Sequence, residues 1–239
     1  MRHQRVRVRG HSLAQLTFTS INNKTSIHSC PQPAPRCGRI AAAMRIAIVP
    51  GNGCDNILDA NWYAWLDKRL RDCGRFDEVM CQTMPDPHKA RRSVWLPFML
   101  STLGCSQPDT IVVGHSSGAV AAMRLLEEHR LAGCVLVSAC HTDLGDAGEA
   151  ASGYYPPSGG EWKWSQIREN SGGNIVILHS DNDPFIPISE AQHVAEKLGV
   201  PLRVHPGRSH FFAAGEDLVE ACLAAADAAA AKSESGGST

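Results

Sequence analysis

Three side chains that together can turn a weak alcohol into a nucleophile occur in order from the middle of this chain onward: Ser116, Asp183 and His210. A serine hydroxyl attacks poorly at neutral pH unless a base lies within hydrogen-bond reach and a third group orients that base. Ser116 sits at the centre of Gly114-His115-Ser116-Ser117-Gly118, after the β-branched run Thr110–Val113 and before an alanine-rich stretch from Ala119 onward. That pattern predicts a buried strand, a tight turn and a helix. A turn this tight forces its apex into a strained conformation, and small flanking residues let strand and helix approach. The apex hydroxyl would then stand above the sheet beside the Ser117 N–H and the positive end of the helix dipole, as in a nucleophile elbow. G-x-S-x-G alone occurs in many chains; the strand before it and the helix after it carry the reading.

In the fold built on such an elbow the acid and then the histidine follow the serine, each just beyond the carboxyl end of a strand. Asp183 lies four residues past an expected strand ending at His179, and His210 five past one ending at His205. Of the other histidines, His3, His11 and His28 fall in an N-terminal extension, His88 precedes the serine, and His129 and His193 fall on expected helices. His115 is expected to point into the pocket wall. His141 and His179 remain alternatives, although both precede Asp183 and break the order. Asp181 competes with Asp183, but Pro184 restricts the residue before it to extended conformations and so favours Asp183, leaving Asp181 as a loop residue or turn cap. The second oxyanion donor is expected from the loop after the first strand, Gly51-Asn52-Gly53, with the Asn52 N–H joining that of Ser117. The same loop lacks the Lys-Ser/Thr of a P-loop, and no H-E-x-x-H or other metal-ligand spacing occurs, so neither a cofactor nor a metal is expected.

The elements that must position these residues alternate. Strands are expected at 44–50, 79–83, 110–113, 134–138, 175–179 and 202–205. Helices are expected at 62–73, 93–103 (with Pro97 tolerable only near the first turn), from 119, and at 162–170, 189–198 and 216–231. Residues 139–161, rich in glycine and proline, read mostly as loop. Alternation of this kind predicts one parallel sheet of about six strands with helices on both faces and ligands at the strands' carboxyl ends.

The 239 residues are 43% hydrophobic, enough for a single α/β domain, here placed at 44–231. A formal net charge of −1 gives no basic field for nucleic acid or an anionic membrane, and no apolar run is long enough to span a bilayer. Nine cysteines, an odd number without C-x-x-C, read as reduced thiols. Residues 1–43 carry Arg2, Arg5, Arg7, Arg9, Lys24, Arg36 and Arg39, and no Asp or Glu precedes Asp55. This composition fits a transit peptide, and equally a disordered tail or sequence upstream of a true start at Met44. A soluble protein is expected, cytoplasmic or, if the extension is an address, in a plastid or mitochondrion. Residues 232–239 read as a disordered tail.

Taken together, PGNG (50–53), NWYAWL (61–66), MPDP (84–87), SVWLPFM (93–99), GHSSGAVAAMR (114–124), DPFIP (183–187) and SHF (209–211) resemble the retinoblastoma-binding-protein-9-like serine hydrolases. The resemblance implies a small single-domain α/β-hydrolase fold without a large lid, with Ser116 as nucleophile, Asp183 as acid and His210 as base. It also implies hydrolysis of small ester or amide substrates or peptides through an acyl-enzyme, with an aminopeptidase-like activity. The L-x-C-x-E docking motif that gives the family its name is not intact, since Leu103-Gly104-Cys105-Ser106-Gln107 lacks the glutamate. The rival reading is a non-catalytic scaffold that keeps the fold for protein interactions. An open, small pocket is expected, lined by some of Trp62, Tyr154, Tyr155, Trp162 and Trp164. Because every motif lies downstream of residue 43, a chain beginning at Met44 is expected to keep its melting temperature and activity. A large loss of either would show that the extension packs on the core.

Overall fold

The computed structural model describes residues 44–236, so the expected extension and residues 237–239 lie outside the described residues. Six strands, β1 (Arg45–Val49), β2 (Glu78–Cys81), β3 (Thr110–His115), β4 (Gly133–Val137), β5 (Ile175–Ser180) and β6 (Leu202–His205), form one parallel sheet in the order β2-β1-β3-β4-β5-β6. The inner strands are buried on both faces, which is why they read as continuous apolar runs. Ile46, Ile48, Ile111, Val113, Val135, Val137 and Leu178 share a core with Leu66 and Leu70 of α1 (Tyr63–Asp72) and Leu218, Cys222 and Ala225 of α7 (Glu216–Gly236). The alternate residues, Ala47, Val49, Val112, Cys134, Leu136 and Ile177, share the other core. Its helical residues include Trp95 and Met99 of α2 (Arg92–Ser101), Val120 of α3 (Ser117–Leu126), Ile167 of α5 (Trp164–Asn170) and Val194 and Leu198 of α6 (Ile188–Leu198).

Strand order reverses at β1, which pairs with β2 on one side and β3 on the other. A crevice opens at the carboxyl ends of two strands that diverge in this way, and ligands of open α/β sheets bind there. Here the carboxyl ends of β1 and β3 carry the Gly51–Gly53 loop and the Ser116 turn. They meet closely: a Cβ on Gly114 would lie 2.4 Å from the Gly118 carbonyl oxygen, and one on Gly118 would lie 2.3 Å from that of Val49.

Several expectations need correction. Pro97 sits in mid-helix rather than in the first turn of α2. It faces outward, as does Ser93, so the carbonyl it leaves without an N–H partner is on the solvated side while Trp95 and Met99 hold the buried one. The expected loop 139–161 contains a short helix, α4 (Ala147–Ser152), capped by the Asp146 carboxylate, which accepts from the N–H groups of Gly148 (2.8 Å) and Glu149 (2.9 Å), and closed by left-handed Gly153. The last helix runs to Gly236, past the expected end at 231, with Lys232 reaching the Gly172 carbonyl and Ser233 Oγ bonded to that of Ala230 at 2.7 Å.

The seven cysteines among the described residues are free thiols. No helix among those residues is long and apolar enough to cross a membrane. Leu103 and Cys105 are buried in the core, so the remnant of the docking motif presents neither side chain.

The Gly118 contact is with backbone, which cannot rotate away. Gly118→Ala is therefore expected to destabilise the fold by about 3 kcal/mol through overpacking, with loss of the Ser116 turn. Urea unfolding that stayed at the wild-type midpoint would show that β1 and α3 can separate without cost.

Candidate active site

The elbow is built as the sequence leads one to expect. Ser116 has φ 54° and ψ −120°, a conformation that costs a non-glycine residue about 1–3 kcal/mol and persists only where its surroundings hold it. They do so through its N–H, which donates to the Val137 carbonyl of β4 at 2.9 Å, and its carbonyl, which accepts from the N–H groups of Ala119 (2.9 Å) and Val120 (3.2 Å). Ser116 is half-buried in a cleft of about 680 Å³ that Asn52, Ser117 and His210 also line. Two of the amides that line it, those of Ser117 and Asn52, have no acceptor among the described residues. Ser117 opens α3, where the first N–H groups have no intrahelical partner. In the other loop, the Gly51 N–H donates to Tyr63 Oη (3.0 Å) and the Gly53 N–H to the Pro87 carbonyl (2.9 Å), which leaves that of Asn52.

His210 Nδ1 and Asp183 Oδ2 are 2.8 Å apart. Asp183 Oδ1 accepts from the N–H groups of Phe185 (2.9 Å) and Ile186 (3.1 Å). Burial alone would raise the Asp183 pKa, but the His210 hydrogen bond and these two amides outweigh it and hold the carboxyl below its ordinary range. An ionised Asp183 accepts from Nδ1–H, leaving Nε2 with a free lone pair that can take a proton.

The end of β5 and the residues after it hold the loop that carries His210, residue by residue. Ser180 Oγ accepts from the Arg208 N–H (2.9 Å), Asp181 Oδ1 from Gly207 N–H (2.8 Å), Asn182 Oδ1 from Ser209 N–H (2.8 Å) and Asp183 from the His210 ring. Asp181 is thus a loop cap and Asp183 faces the imidazole. The competing histidines have other partners. His179 Nε2 bonds the Ile186 carbonyl at 3.0 Å, and His141 stacks on His193 with centroids 3.9 Å apart and lies 2.7 Å from Glu190.

Of the five aromatic residues some of which were expected in the pocket, Tyr155 lines it. Trp62 is fully buried and donates its Nε1–H to the Phe211 carbonyl at 2.7 Å, behind the His210 loop. Tyr154 is also fully buried. Trp162 and Trp164 stack with centroids 5.4 Å apart and line a separate cleft with His141 and His193. The cause is Arg124, which is buried against the Glu127 carboxylate (2.7 Å) and donates to the carbonyls of Tyr154 and Gly160 (2.7 Å each). Its guanidinium lies 3.7 Å from the centre of the Trp162 ring, so residues 154–162 are drawn onto α3.

The pocket wall is made instead by Phe185, Phe212, Leu144, Tyr63, Asp146 and Glu149, none of which the sequence singled out. Phe185 and Phe212 flank the His210 ring with centroids 5.2 and 5.4 Å away. Each sits two residues past a residue of the Asp183–His210 pair, and that spacing was the available signal. Glu149 accepts from Asn52 Nδ2 (3.0 Å) and Tyr155 Oη (3.1 Å), tying α4 to the loop after β1. Among the described residues no group of three or more His, Cys, Asp or Glu could hold a metal ion.

A family model described as serine hydrolase matches residues 46–216, a span that contains the elbow, Asp183 and His210. The chain belongs to the serine hydrolase family. This serine hydrolase is 42% identical over 172 residues to "Serine hydrolase RBBP9" of Rattus norvegicus, covering 72% of this chain and 89% of that one. It is 26% identical over 155 residues to "Putative hydrolase YdeN" of Bacillus subtilis (strain 168), covering 63% of this chain and 78% of that one. The crystal structure of the B. subtilis ydeN gene product superposes with a TM-score of 0.65 at 22% identity, covering 77% of this chain and 98% of that one. The single sheet flanked by helices is that of the α/β-hydrolases.

The two aspartates make a controlled pair. Asp183→Asn is expected to lower ester turnover by up to about 10⁴-fold, through the wrong imidazole tautomer and lost charge stabilisation. Asp181→Asn, which keeps an acceptor for the Gly207 N–H, should cost little. A large loss at Asp181 with near-normal turnover at Asp183, both variants folded, would reverse the assignment.

Proposed function

We propose that this serine hydrolase cleaves small ester or amide substrates through an acyl-enzyme, with Ser116 as nucleophile, His210 as base and Asp183 as orienting acid. The observation that carries the reading is the 2.8 Å His210–Asp183 bond in the same cleft as a serine held at φ 54°. His210 Nε2 takes the proton of Ser116 Oγ as the oxygen attacks the substrate carbonyl carbon. The carbonyl oxygen becomes an oxyanion that accepts from the N–H groups of Ser117 and Asn52. As the tetrahedral species collapses, the bond to the leaving group breaks and the imidazolium returns the proton to that group. Water, deprotonated by His210, then attacks the acyl carbon, and Ser116 leaves with the proton. Asp183 stays ionised throughout and stabilises the imidazolium.

The substrate reading rests on the cleft. About 680 Å³ suits a small molecule, and Phe185, Phe212 and Leu144 supply an apolar rim. The Asp146 and Glu149 carboxylates on the wall favour substrates with a free amino group, which gives the aminopeptidase-like activity implied by the family resemblance a physical basis.

A fluorophosphonate probe is expected to label the wild-type protein and not Ser116→Ala. Short acyl nitrophenyl esters should turn over faster than long ones, and aminoacyl amides faster than their N-acetylated forms. No labelling of folded wild-type protein would sink the covalent mechanism. A preference for long acyl chains would sink the small-substrate reading.

A further inference from the structure

His210 sits in a strained loop. Its neighbours Ser209 (φ 51°) and Phe211 (φ 50°) both hold positive φ without being glycine. Such backbone persists where surrounding groups over-determine it. The acceptors of residues 180–182 hold the amides on one side, and two buried donors hold the carbonyls on the other. Trp62 Nε1–H reaches the Phe211 carbonyl at 2.7 Å, and His115 Nε2–H reaches that of His210 at 2.9 Å. Since Nε2 must donate to a carbonyl, His115 Nδ1 is the acceptor, and it accepts a hydrogen bond from the Tyr63 hydroxyl at 2.6 Å. The Tyr63 oxygen in turn accepts from the Gly51 N–H (3.0 Å) and Asn61 Nδ2 (3.2 Å).

These bonds run in one direction through buried side chains, from the loop that carries the Asn52 N–H to the backbone of His210. We propose that Tyr63 and His115 are positioning residues that hold the oxyanion loop and the His210 loop in register across the nucleophile, so that neither can shift without breaking a buried hydrogen bond. The inference rests on the hydrolase reading of the Ser116 cleft. For the relay to work the His115 ring must stay neutral, because a protonated Nδ1 could not accept from Tyr63. Burial, with the nearby His210 charge, pushes its pKa down to about 3, while the carbonyl of His210 and the charge of Asp183 favour the cation without overcoming burial. Burial pushes the Tyr63 hydroxyl up to about 12, so it keeps its proton.

The test compares Tyr63→Phe, His115→Leu and His115→Gln, with turnover normalised to the serine titrated by a fluorophosphonate. Tyr63→Phe and His115→Leu are expected to lower kcat by about 10- to 100-fold, as for a misplacement of reacting groups by roughly 1 Å, with KM little changed. The pH profile should change as well. His115→Gln offers an acceptor and a donor in place of the two ring nitrogens and should recover most of the turnover. Nitrogen-15 NMR should find wild-type His115 neutral, protonated at Nε2, at pH 6, and titrating at higher pH in Tyr63→Phe. Wild-type turnover and pH profile per titrated serine in Tyr63→Phe would overturn the positioning role while leaving the hydrolase reading intact. Variants that lose melting temperature alone would overturn it in the same way. A wild-type protein that neither labels nor turns over would overturn both, whatever the NMR shows.

Discussion

The contact on which the rest depends is backbone against backbone. Where β1 ends, the carbonyl oxygens of Val49 and Pro50 lie so near the Cα of Gly118 that no side chain fits between them, and Gly114 meets the start of α3 as closely. With both sides closed, the turn from β3 into α3 has no room to relax, and Ser116 is left at positive φ with its hydroxyl in the crevice. The closeness also brings Gly51 beside Ser116: a Cβ there would lie 3.2 Å from Ser116 Cβ. The loop offering the Asn52 N–H is therefore set next to Ser116 by packing, without any direct bond between them. A stable fold and a strained serine are consequences of the same two glycines.

Around that contact, burial sorts the titratable groups by role. Asp183 is buried yet stays charged because three donors face it. His115, adjacent to Ser116, is buried with a carbonyl and a hydroxyl for partners and stays neutral. Cys140, on the cleft wall, is by type a second nucleophile, but burial pushes its thiol up to about 12 and its sulfur lies 3.2 Å from Tyr155 Oη. A thiol held protonated is a poor nucleophile.

Arg124 shapes the cleft from behind. A buried ion pair is weak evidence for stability, because desolvation offsets much of the attraction. Here its effect is geometric. With Glu127 neutralising it, the guanidinium is free to collect the carbonyls of residues 154–161, and Glu127 itself accepts from the Lys163 N–H at 2.9 Å. The segment that could have folded over Ser116 is held along α3, leaving α4 and Tyr155 at the cleft and its mouth open.

The sequence by itself determined the order and type of nearly every element, since buried parallel strands must be short apolar runs and their helices must show a repeating apolar face. It also carried the elbow, because only glycine on both flanks allows that turn, and it selected Asp183 over Asp181 through the constraint of Pro184. The α4 caps, Asp146 and Gly153, were in the sequence too, but the glycines around them read as loop. Other features were decided by the tertiary structure. Tyr63 and His115 bond across 52 residues of chain, and His115 and His210 across 95, so no local pattern could reveal the relay. Apart from Tyr155, the candidate pocket aromatics lie away from the cleft, and for the same reason. A tryptophan's type says that it will be buried or stacked, but whether Trp62, Trp162 and Trp164 face the cleft depends on where Trp62's indole and Arg124's guanidinium find acceptors, and those are carbonyls that come near only once the chain has folded.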